Sequence, residues 1–190
     1  MKRTGQARET MHDRKARLDA MAMVLALGAC SLDSQAGGAY QQPEDFVREA
    51  FGGAPPEPSR LWLDSGLQAQ IREVLERDLG VLRVRYWGRD RRTAWVLEEI
   101  GKEQPITAGI VVEDGKIDQI KVLVFRESRG FEVRYPFFTD QFRGARLREG
   151  LDLDREIDGI SGATLSVRAL TKLARLALLL HAHSDFAGER

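Results

Sequence analysis

The stretch from Ile106 to Phe125 constrains the fold more than any other. Ile106, Ala108, Ile110 and Val112 alternate with Thr107, Gly109, Val111 and Glu113, the period-two signature of a strand with one apolar face. Asp114-Gly115 follows, a pair that accepts the positive backbone angles of a tight hairpin turn. The chain then returns through Ile117–Phe125, with Ile120, Val122 and Val124 on one face. A lone hairpin is marginal in water, so it needs further strands and a cover. The sequence offers both. Val81–Trp87 and Thr93–Ile100 read as short strands around the charged turn Gly88–Arg92. Leu67, Ile71, Val74, Leu75 and Leu79 repeat at spacings of three and four, which predicts an amphipathic helix over Ser65–Leu79 stopped at Gly80. A second helix is expected over Leu165–His181, where Leu170, Leu173, Ala174, Ala177 and Leu180 form a stripe widened by Leu176, Leu178 and Leu179. Glu44–Phe51 reads as a short helix. The prolines of Gly52–Pro58 read as a loop. The expectation is a single α+β domain, an antiparallel sheet centred on the hairpin and packed by the two longer helices. A chain of 190 residues supports one such core.

The formal net charge is zero, but it is unevenly spread. Residues 1–18 carry six basic and two acidic side chains, whereas Cys30 onward is net −3. No clustered Lys/Arg footprint of a nucleic-acid binder is present in the folded part. The basic start leads into Met21–Ala29, an apolar run of nine residues that ends at the only cysteine, Cys30. This is the order of an export signal, and the run falls short of the roughly 20 residues a membrane span requires. Leu27-Gly28-Ala29-Cys30 resembles a bacterial lipobox, in which the cysteine becomes the lipidated first residue. The resemblance implies a signal peptide over 1–29, a tether over 30–43, a domain over 44–190, and a mature protein held to the outer face of a membrane at Cys30. The alternative is a buried cysteine in a short helix. A start at Met11 rather than Met1 would shorten the basic region.

The residues that carry chemistry precede the last helix. Ser161-Gly162-Ala163-Thr164 is a run of four small residues, two with hydroxyls, directly before a helix start. The unpaired N–H groups of a first helical turn and the helix dipole favour an anion there. On these grounds alone the segment is either an anion site or an ordinary helix cap.

Asp158-Gly159-Ile160-Ser161-Gly162-Ala163-Thr164 resembles the flavinylation motif of the FMN-binding domain family, Asp-x-x-Ser/Thr-Gly-Ala-Thr, which also stands before a C-terminal helix. The family includes flavin-carrying subunits of sodium-translocating NADH:quinone reductases and of Rnf complexes. The resemblance implies that FMN is joined to Thr164 as a phosphoester. A separate flavin transferase that uses FAD and magnesium would install it outside the cytoplasm. Asp158, Ser161, Gly162 and Ala163 are then recognition and phosphate positions, with Leu165, Ser166, Glu127 and Ser128 as further cofactor-contact positions. The similarity spans roughly Ile100–Ala182. Two departures stand out: Glu127-Ser128-Arg129-Gly130 where the family commonly has Glu-Thr-Pro-Gly, and Leu165-Ser166-Val167 where it often has x-Thr-Ser. The implied function is extracytoplasmic electron transfer with membrane redox partners, as a carrier or subunit of a membrane oxidoreductase rather than a stand-alone enzyme.

Two other readings remain. Gly159-Ile160-Ser161-Gly162-Ala163 nearly matches the serine-hydrolase elbow, which demands a strand directly before the serine; the preceding Asp152–Asp158 is poor in strand formers. His181 and His183 read as a solvated helix end. A lipid-anchored scaffold or binding lipoprotein without cofactor is the second alternative. No metal site is expected, since the histidine pair lacks cysteine partners. Phe131, Tyr135, Phe137, Phe138 and Phe142 read as a core cap, or as rings of which one meets a planar ligand.

Overall fold

The computed structural model describes residues 38–188. The expected signal, Cys30 and most of the tether lie outside the described residues. The elements run α1 (Pro43–Ala50), β1 (Pro58–Trp62), α2 (Ser65–Leu75), β2 (Arg83–Arg89), β3 (Arg92–Ile100), β4 (Pro105–Glu113), β5 (Lys116–Phe125), short helical turns over Phe131–Phe142 that include α3 (Pro136–Thr139), and α4 (Thr164–Ala182). The five strands form one antiparallel sheet in sequence order. The fold is therefore α+β, as the sequence pattern predicts. The hairpin turn falls on Asp114 and Gly115, at φ 51° and 70°, the angles such a turn requires.

The hairpin supplies one side of the sheet rather than its centre, and β3 is the middle strand. Arg83–Arg89 begins two residues later than expected, because Val81 and Leu82 stay exposed at 48% and 68%. The outer edge of β5 is covered at both ends by backbone pairing. Tyr40 N–H donates to the Leu123 carbonyl at 2.7 Å, and Gly144 N–H donates to the Ile117 carbonyl at 2.7 Å. Pro58–Trp62, placed at the loop boundary by its prolines, is an edge strand against β2. That position tolerates Pro58, which has no N–H to give to a ladder.

Alternation in β4 predicts one buried face, yet almost the whole strand is buried. Ile106, Ala108, Ile110 and Val112 face the main core, with α4 and α2. Val111 faces a second, smaller core under α1, with Phe46, Val47 and Leu123. Gly109 makes this possible: a Cβ there would lie 2.6 Å from the Phe46 ring.

The first long helix stops at Leu75 instead of Leu79. Glu76 adopts a left-handed conformation at φ 61°, the usual way a helix ends. Lys172 of α4 holds that end, with its ammonium 2.8 Å from the Leu75 carbonyl and 3.0 Å from the Glu76 carboxylate. Arg168 reaches the same carboxylate at 2.7 Å. The apolar stripe read from sequence for α4 is buried nearly throughout.

Candidate functional site

Asp158–Ile160 is irregular, Ser161 and Gly162 form a turn, and Thr164 is the first residue of α4. Gly162 has φ 82°, a conformation that favours glycine over any residue with a Cβ. The turn closes through the Ala163 N–H, which donates to the Ile160 carbonyl at 2.9 Å. The helix cap itself is Ala163, which has no side-chain oxygen, and no cap hydrogen bond is made. The ordinary capping reading therefore fails for both hydroxyls: neither Ser161 nor Thr164 caps α4. The first helical bond is that of Val167 N–H to the Ala163 carbonyl at 2.9 Å. The N–H groups of Thr164, Leu165 and Ser166 thus have no helical acceptor, and none has another partner among the described residues. Ser161, Gly162, Thr164 and Leu165 are exposed, whereas Ala163 and Ser166 are buried.

The segment is anchored from two sides. Asp158 N–H donates to Gln141 Oε1 at 2.7 Å, which ties the motif to the turn before Phe142. The Asp158 carboxylate itself is exposed. The second anchor is Gly130, at φ 84°. A Cβ at Gly130 would stand 2.6 Å from Ser166 Oγ and 3.4 Å from Ala163 Cβ. The loop after β5 therefore lies directly on the first turn of α4, and only glycine fits the contact. Neither Gln141 nor Gly130 was among the candidate positions. Glycine in the fourth place of Glu127-Ser128-Arg129-Gly130 was the only available signal, and nothing in the sequence marks Gln141.

Glu127 is occupied elsewhere. Its Oε1 accepts the N–H groups of Lys102, Glu103 at 2.6 Å and Gln104 at 3.0 Å, and so closes the turn between β3 and β4. Partial burial raises its pKa, but the three N–H bonds outweigh that and hold the carboxyl below its ordinary value. Ser128 and Arg129 are exposed on the same loop. Phe138 and Phe142 go to the core, while Phe131, Tyr135 and Phe137 stay exposed at 42%, 40% and 63%. Arg134 sits over Tyr40 and Tyr135 at 4.4 and 4.8 Å. A cavity of about 380 Å³ beside these rings runs along β5 and is not lined by residues 158–166.

The hydrolase geometry is not assembled. No strand precedes Ser161, and His181 lies 17 residues beyond Thr164 on one helix, about 26 Å away. Nor is His181 solvated: it is 3% exposed. Only His183 is exposed there.

Fold and site together define an α+β domain whose terminal helix opens uncapped behind a Ser-Gly-Ala-Thr turn, a site suited to a phosphate. Residues 101–179 match the model of the FMN-binding domain. Over that stretch the chain is similar to the FMN-binding domain family, which points to flavin binding. No curated protein matches the chain.

Proposed function

We propose that FMN is held covalently on Thr164, through a phosphoester to its Oγ1, and that the protein is an electron carrier outside the cytoplasm. The observation that carries this reading is the uncapped start of α4. An exposed hydroxyl stands at its first residue, beside backbone N–H groups that no other group among the described residues uses. Three amides without acceptors among the described residues, at the positive end of a 19-residue helix, stabilise the phosphodiester anion that this link creates. Small, exposed Ser161 and Gly162 leave room for that phosphate and for the enzyme that attaches it. A carboxylate cannot donate to phosphate, so exposed Asp158 suits recognition by a flavin transferase, supplied with FAD and magnesium, better than phosphate contact. Phe131 and Leu165 are exposed on the two segments that meet at Gly130, and they are the side chains that would take the isoalloxazine. The bound flavin would supply one- and two-electron chemistry, while the chain fixes where it sits. Attachment prevents its loss in a compartment with no flavin pool. Lipidation at Cys30 would keep the carrier near membrane redox partners and raise its local concentration there.

Co-expression with a flavin transferase tests the attachment. The expected product is yellow and remains fluorescent on a denaturing gel, and Thr164→Val abolishes the band. Fluorescence that survives Thr164→Val, or flavin that washes away from the unsubstituted protein, would overturn the proposal. Intact mass of the exported protein reads lipidation at Cys30 separately.

A further inference from the structure

At the far end of α4, a cavity of about 320 Å³ lies between the last helical turn and the hairpin tip. Its polar lining is Arg91, Asp114, Arg146 and His181, and Leu147 and Leu178 contribute apolar wall. His181 is 3% exposed, and its Nδ1 is 2.8 Å from Thr93 Oγ1. The same oxygen is 2.8 Å from the Trp95 Nε1. An indole N–H can only donate, so Thr93 Oγ1 accepts from Trp95. Thr93 is fully buried, and among the described residues its hydroxyl hydrogen has one available acceptor, His181 Nδ1. Were Nδ1 protonated, that hydrogen would be stranded in the core. The chain Trp95 to Thr93 to His181 therefore fixes a neutral imidazole with its proton on Nε2. Burial pulls the His181 pKa down to about 4, with Asp114 opposing and Arg91 adding to it, in keeping with that neutral form.

The Nε2–H has no hydrogen-bond partner among the described residues, yet it is not sealed in the protein. The imidazole that carries it lines the cavity. A side chain this deeply buried, with its donor preset and unused, is built to meet something there. The surrounding charge indicates what. Arg91 is paired with Asp114 at 2.7 Å, whereas the guanidinium of Arg146 makes no ion pair among the described residues and stands exposed at the rim. The pair cancels, so the lining carries one net positive charge. The negative end of the helix dipole is muted, because the carbonyls of Leu179, Leu180 and His181 are all engaged, by His183 and Ser184.

We propose that this cavity binds a small carboxylate with a short apolar body, its carboxylate shared between the His181 Nε2–H and the Arg146 guanidinium and its body against Leu147 and Leu178. The site is about 26 Å along the helix from Thr164 and does not rest on the flavin reading.

Butyrate is the probe. In the full chain, imidazole-detected NMR should first find His181 with its proton on Nε2. Titration should then shift that resonance and the Gly115 amide saturably, with a millimolar Kd. Sodium chloride at matched ionic strength controls for screening. Arg146→Met, at an exposed position, should weaken binding by about tenfold with the rest of the amide spectrum unchanged. A proton on Nδ1, a shift that is absent or equal to the chloride response, or an unchanged Kd in Arg146→Met would each overturn the proposal.

Discussion

At its first turn α4 leaves three amides without acceptors among the described residues and sets Thr164 in solvent, whereas at its last turn the carbonyls are bonded and His181 is locked to Thr93. One helix thus carries an end kept open and an end kept closed. The open end is stabilised by what surrounds it, since Gly130 and Gln141 clamp the segment without touching its free N–H groups. The closed end is stabilised from within the core, through a hydroxyl that serves two aromatic partners. Openness at the first turn costs the helix its cap, and the long buried stripe of Leu170–Leu180 offsets that cost.

Breaking the closed end should have the larger effect on stability. Thr93→Val keeps the volume but strands the Trp95 N–H and His181 Nδ1, at a cost of about 2–4 kcal/mol measured by urea unfolding. The same residues give a pH signature. The folded pKa of His181 is about 4 against an ordinary 6.5, so between these values the unfolded chain binds the extra proton. His181 therefore contributes stability that is fully present above about pH 6.5 and is lost as the pH falls towards 4. Asp114, Arg91 and Arg146 face it across the cavity. The slope of melting temperature over that window should flatten in His181→Gln, and an unchanged slope would show that other groups set it.

At the open end, Gly130→Ala must adopt φ 84° and push its methyl against Ser166 Oγ. We expect a loss of about 1–3 kcal/mol, together with less flavin attached per protein, since the loop would lift from the start of α4. Equal flavinylation in the variant would separate the clamp from the site. The smallest effect is expected from Ala163→Ser, which supplies the missing cap. Stability should rise by about 0.5–1 kcal/mol while attachment of flavin falls, because the new hydroxyl competes for the free N–H groups. A gain in both would mean that the uncapped start has no bearing on the phosphate.

Much of this protein is legible without a fold. The hairpin with its Asp114-Gly115 turn, the buried stripe of α4 and the position of Thr164 at its head all follow from local patterns, because period, turn chemistry and helix starts are written within a few consecutive residues. Contacts between distant segments were decided only by tertiary packing. Glu127, a cofactor candidate by motif, instead closes the turn at 102–104. Gly109 read as a strand residue and proves to be the seat for Phe46. His181 read as a helix end in water and is buried, bonded through its ring to Thr93. Each of these roles depends on a partner between 23 and 88 residues away, and no local pattern encodes which surfaces the folded chain will press together.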